Sequence, residues 1–213
     1  GHTLARYLDL SASAVRLPAA LPFDWASLDR LSIVACGTAY YAGLVGKYWF
    51  ERYARLPVEI DVASEFRYRE PPLPKAGLAL FVSQSGETAD TLASLRFCKA
   101  QGQHTAAIVN VTTSTIARES DVIFPTLAGP EIGVASTKAF TCQLSVLASL
   151  AIAAGRARGV LTEADEKRLV GSLGELPGLV LRSLRFESKI ERLAREIAKV
   201  SDVLYLGRGA SYP

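Results

Sequence analysis

Ser83-Gln84-Ser85-Gly86-Glu87-Thr88 is the stretch that decides how this chain is read. An apolar run, Gly77-Leu78-Ala79-Leu80-Phe81-Val82, precedes it, and a helical pattern, Thr91 to Cys98, follows. A buried strand therefore ends in a hydroxyl-rich turn that opens a helix. The first turn of a helix has backbone N–H groups without intrahelical acceptors, and the positive end of the helix dipole lies there. Both favour an anion, above all a phosphate. Ser83, Ser85 and Thr88 add hydroxyl donors, and Gly86 lets the backbone come close to a ligand. The same residue types also serve as plain caps and turn formers, so the surrounding chain has to decide.

Working outward, the chain alternates. Leu31 to Ala35 reads as a first strand and Ala39 to Ala54 as an amphipathic helix. Val58 to Val62 is a second strand, followed by a loop marked by Pro71, Pro72 and Pro74. Leu78 to Val82 is the third strand, and Thr88 to Gln101 is its helix, stopped by Gly102. Thr105 to Val109 is a fourth strand, Thr113 to Glu119 a short helix and Val122 to Phe124 a fifth strand. A loop with Gly129, Pro130 and Gly133 leads into a long apolar helix, Thr137 to Ala154. This alternation implies an α/β fold, a five-stranded parallel sheet flanked by helices in the flavodoxin-like order 2-1-3-4-5. Ligands of such sheets sit beyond the carboxyl ends of the strands, at the switch between strands 1 and 3. The turns there are Cys36-Gly37-Thr38-Ala39 and Ser83 to Thr88, and both carry glycine and hydroxyls.

The ends read differently. Residues 1–29 read as a short helix, Thr3 to Leu10, and a linker punctuated by Pro18 and Pro22. Residues 159–200 read as a helical connector, with Thr162 capping a helix from Glu163 to Leu173 and a second helix from Phe186 to Val200. Val203 to Leu206 reads as a strand, and Tyr205 to Tyr212 echoes Ile33 to Tyr40. The expected divisions are therefore 1–29, 30–158, 159–200, and 201–213 as the start of a second copy of the fold.

Composition narrows the function. The 213 residues are 49% hydrophobic and 21% charged, with a net charge of +3. That is a globular protein with no basic excess for nucleic acid. The longest apolar stretch, Leu144 to Gly155, is too short to span a bilayer and reads as a buried helix, and no signal-peptide pattern is present. Cys36, Cys98 and Cys142 form no CxxC pair, which points to reduced thiols and a cytoplasmic setting rather than a metal site. His104 reads as a surface residue. No methionine occurs, so the chain reads as part of a longer protein. No Walker A loop is present. Gly207-Arg208-Gly209 lacks the third glycine of a dinucleotide fingerprint, and no cofactor is expected.

Several motifs now occur in order: Cys36-Gly37-Thr38, Ala63 to Tyr68, Ser83 to Thr91, Arg118 to Asp121, and Glu131-Ile132-Gly133-Val134-Ala135-Ser136-Thr137-Lys138-Ala139-Phe140. Together, over about residues 30 to 213, they resemble the sugar isomerase (SIS) domains, and among them the isomerase region of the glutamine–fructose-6-phosphate aminotransferases. The resemblance implies an enzyme that makes glucosamine 6-phosphate from fructose 6-phosphate and glutamine. It implies a homodimer, with a glutaminase domain and a second SIS subdomain elsewhere in the parent chain. It also implies that Ser83, Gln84, Ser85 and Thr88 cradle the phosphate, that Cys36, Gly37 and Thr38 touch the sugar, and that Val134 and Ser136 contact the sugar chain. Ala39 departs from the serine common in that family. Lys138 reads as a surface or structural residue, and Glu87 as an acidic residue at the N-terminus of its own helix. Isomerisation needs a carboxylate base and an oxygen polariser. The resemblance puts these in the second subdomain, so no catalytic residue is expected in this chain, which binds but does not turn over alone. The alternatives are an SIS sugar-phosphate sensor and a fructosamine-phosphate deglycase.

Overall fold

The computed structural model describes residues 1–130 and 136–213. Its centre is a parallel sheet of five strands, β1 (Arg30–Ala35), β2 (Val58–Val62), β3 (Gly77–Ser83), β4 (His104–Val109) and β5 (Val122–Pro125). They lie in the order β2-β1-β3-β4-β5, as the alternation implied. Every residue of β3 is buried, as expected of a central strand covered on both faces.

The period of two in the strands sorts side chains between two cores. Leu31, Ile33, Leu78, Leu80, Ala106, Ile108 and Phe124 point to one face. There they meet α2 (Thr38–Trp49), the π-helical turn Phe50–Ala54 that extends it, and α6 (Lys138–Ala157). Val34, Ala79, Phe81, Ala107 and Val109 point to the other. They meet α3 (Ala63–Arg69), α4 (Ala89–Ala100) and α5 (Thr115–Glu119). The result is three layers, with crossovers placing successive helices on opposite faces wherever the strand order reverses.

Several elements differ from expectation. The helix α3 was not foreseen, because only Ala63 and Phe66 of its seven residues are buried and no apolar stripe announces it. The segment 1–29 opens with the expected short helix, and the stretch after it is more structured than a linker. The segment forms α1 (His2–Tyr7), a two-strand hairpin pairing Leu8–Asp9 with Ala14–Val15, and a 3₁₀ turn at Trp25–Ser27. Tyr7, Trp25 and Leu28 belong to the main core, and the Tyr7 hydroxyl donates to the Pro125 carbonyl at 2.9 Å.

At 20 residues, α6 is longer than the apolar stretch that flagged it, and is long and apolar enough to cross a bilayer. Its fully covered Val146, Leu147, Leu150, Ala151 and Ala154 pack into the main core instead. The next helix, α7 (Glu163–Leu184), opens with Thr162 in a reciprocal capping box with Asp165, and runs eleven residues past the expected end, through Pro177. The charged α8 (Glu187–Ile197) follows, with no buried residue. Val203 to Leu206 forms no strand. A strand exists only as a ladder with a neighbour, and Leu204, Tyr205 and Leu206 stand in solvent.

Candidate functional site

The strand registers level the sheet's carboxyl edge: Ala35 pairs with Val82, and Ser83 with Val109. The chain leaves β1 and β3 side by side there, because α2 and α4 depart to opposite faces. The turn after β1 is short. Gly37 adopts φ +58° and ψ −137°, a backbone state open essentially to glycine, and caps α2 with its carbonyl, which accepts from the Tyr40 N–H at 3.0 Å.

The turn after β3 is held by its own hydroxyls. The buried Ser83 Oγ accepts from the Gly86 N–H at 3.0 Å and lies 3.1 Å from Thr88 Oγ1. Ser85 Oγ accepts from the Glu87 N–H at 3.2 Å. Whichever of Ser83 and Thr88 donates to the other, one hydroxyl hydrogen of that pair is left for a ligand, and so is that of Ser85. Gly86 sits at φ +67°, and its carbonyl accepts from the Ile116 N–H at 3.0 Å. A Cβ on Gly86 would lie 1.9 Å from Ser114 Oγ.

Glu87 does not serve its own helix. Its carboxylate accepts from the Thr115 N–H at 2.6 Å and so caps α5. Hydrogen bonds from the Thr115 backbone and side chain hold its carboxyl below the usual range. The Cys98 thiol, by contrast, is buried in the opposite core and pushed up to about 12 by that burial.

These elements enclose a cleft of about 300 Å³. Cys36, Thr38, Ser83, Gln84, Ser85, Thr88 and Ser136 line it, so seven of the nine residues expected in the site meet in one place. Gly37 lies in the wall's turn without lining the cleft, and Val134 falls outside the described residues. Ala39 lines the cleft with a methyl group and no hydroxyl. Lys138 does not line it; its ammonium donates to the Pro130 carbonyl.

Among the described residues, no charged side chain lines the cleft. Three helix starts do: α2 behind Thr38, α4 behind Thr88 and α6 behind Ser136. No side chain caps any of the three, so three positive dipole ends converge where hydroxyls also point. This suits a dianion without fixed countercharge. The larger groove of about 820 Å³, between α1, α6 and α7, is walled by Leu4, Trp49, Leu173 and Val180 and is mostly apolar. It offers no comparable set of donors.

One polar lining residue was missed. Gln143 projects from the buried stripe of α6, where Ala139, Val146, Leu147 and Leu150 are apolar. A lone amide at a core position of the 3.6-residue period was the available signal.

A doubly wound sheet with a hydroxyl-lined cleft at its switch point defines a class of α/β domains that bind ligands at the carboxyl edge of the sheet. Comparison with known proteins narrows it: the SIS domain family matches residues 26–153, and the chain belongs to that family. It is 68% identical over 213 residues to a protein of Bradyrhizobium diazoefficiens named glutamine–fructose-6-phosphate aminotransferase [isomerizing]. It is 64% identical over 212 residues to one of the same name from Brucella abortus. Each match takes in the whole of this chain and 35% of the relative, so the chain spans about a third of their length. The C-terminal domain of glucosamine-fructose-6-phosphate aminotransferase from Francisella tularensis superposes with a TM-score of 0.93 at 38% identity, over 98% of this chain and 58% of that one.

Proposed function

We propose that this chain is the sugar-phosphate-binding SIS unit of an enzyme that makes glucosamine 6-phosphate from fructose 6-phosphate and glutamine. The observation that carries the reading is the convergence of three uncapped helix starts on one neutral, hydroxyl-lined cleft. The names of the relatives supply the substrate. Ser83, Gln84, Ser85 and Thr88 hold the phosphate; Cys36, Gly37, Thr38, Val134 and Ser136 flank the sugar.

Neutral donors grip a phosphate while leaving it free to depart, which suits a site that must release product. The base and oxygen polariser of isomerisation belong to a second SIS unit, and ammonia release to a glutaminase domain. Residues 30–158 then form the binding unit, 159–200 the connector and 201–213 the start of the second unit. The reading carries with it a cytoplasmic homodimer. Apolar side chains left exposed along α7 and α8, such as Leu181, Leu184 and Ile190, support further protein packing there.

Thermal denaturation with fructose 6-phosphate, glucosamine 6-phosphate and NAD tests the ligand class. Ligand at one hundred times Kd contributes about 2.7 kcal/mol, a rise in Tm of about 5–10 °C for a chain of this size. Stabilisation by the sugar phosphates and not by NAD is expected; stabilisation by NAD alone would overturn the reading. The isolated chain with fructose 6-phosphate and ammonia or glutamine is expected to show no turnover, and sustained turnover would contradict the division of labour.

A further inference from the structure

Gln143 is 2% exposed, and its Oε1 has no hydrogen-bond partner among the described residues. The other buried side-chain atoms in that condition belong to Trp25, Arg30 and Thr91, none of which lines the cleft. Gln143 does. Elsewhere on α6 the buried Ser149 shows the ordinary solution, its hydroxyl donating to the Ser145 carbonyl at 2.9 Å. An amide kept in a core stripe, lining a cleft with its oxygen unpaired, is arranged for something that enters that cleft.

Chemistry says which part of the entrant it meets. A phosphate dianion only accepts hydrogen bonds, and an amide oxygen repels it. A sugar hydroxyl both donates and accepts, so it pairs with the amide whichever end faces it. Resting on the sugar-phosphate reading above, we propose that Gln143 is a specificity-determining residue that hydrogen-bonds a hydroxyl of the sugar chain, while the Ser83–Thr88 turn holds the phosphate. The cleft then separates two tasks: general phosphate capture on α4, and recognition of the carbon chain from α6.

Two apolar variants, Gln143→Leu and the nearly isosteric Gln143→Met, test this by calorimetric titration with fructose 6-phosphate and with inorganic phosphate. Fructose 6-phosphate should bind about tenfold more weakly, the loss of one paired amide. Inorganic phosphate should bind within about twofold of wild type. The ligand-free Tm should stay or rise, because each variant removes an unpaired polar group from a buried position. Unchanged fructose 6-phosphate affinity, equal loss for both ligands, or a lowered Tm or lost fold in both variants would each overturn the proposal. If wild type binds no sugar phosphate at all, the function proposed above fails and this inference falls with it. If wild type binds and the variants match it, only this inference fails.

Discussion

The turns after β1 and β3 stand side by side at the sheet edge and wall the same cleft, yet they are built differently. The β3 turn is fixed from within by the Ser83 and Ser85 hydroxyls, and from outside by contacts of Gly86 and Glu87 to α5. The β1 turn rests on one glycine in an unusual backbone state, with open space where a Cβ would stand. A group that must surround a tetrahedral anion needs several donors held at once, which demands preorganisation. A wall that only has to stay small and let a chain pass does not. The difference in construction thus matches the division of tasks proposed above.

Substituting the two glycines is the strongest way to break this comparison. Gly86→Ala must pay for a left-handed residue and push Ser114 and α5 aside. It should cost about 2–5 kcal/mol and abolish sugar-phosphate binding, as read by urea denaturation and titration. Gly37→Ala meets no atom within 4 Å and faces backbone strain alone, about 1–3 kcal/mol. A Gly37 variant that costs more than the Gly86 variant would invert the comparison. Ser83→Ala comes next. It removes the acceptor of the Gly86 N–H and the partner of Thr88, and should lower stability by about 1–2 kcal/mol. It should also weaken fructose 6-phosphate binding about tenfold.

The smallest effect is electrostatic. The Glu87 carboxyl lies below its ordinary 4.5 because it accepts from Thr115. In Asp121, burial raises the carboxyl, but hydrogen bonds from the Thr105 N–H and hydroxyl, together with the nearby Lys99 ammonium, outweigh it and hold the group below 3.8. Folded carboxyls that sit below their unfolded values contribute stability above the unfolded range and lose it as the pH falls through the folded one. The Tm should therefore fall as the pH drops below about 4.5, and Glu87→Gln should remove part of that slope. A Tm independent of pH between 5 and 3 would show that the link to α5 contributes nothing.

The sheet was legible because its strands are short, apolar or alternating, and bounded by turn residues, and because the switch-point rule converts strand order into a site. Six hydroxyl, amide and thiol residues could be assigned to one cleft from sequence, since both turns leave neighbouring strands, and Ser136 joined them only through the family resemblance. What escaped depends on partners distant in sequence. Glu87 reads as a residue of its own helix until Thr115, 28 positions on, turns out to be its partner. Tyr7 reads as part of a short N-terminal helix with no assigned partner until its hydroxyl meets the Pro125 carbonyl. Val203 to Leu206 has the composition of a strand, but composition does not supply a neighbour to pair with. Gln143 was overlooked because the apolar residues around it dominate the pattern.

Amide-resolved NMR on the ¹⁵N-labelled chain during titration with fructose 6-phosphate tests most directly whether this cleft holds a sugar phosphate. Saturable shifts should concentrate at Ser83 to Thr91 and at Cys36 to Ala39, and inorganic phosphate should reproduce the first group more fully than the second. Shifts confined to the apolar groove between α1, α6 and α7, or no saturable shift at either turn, would contradict it.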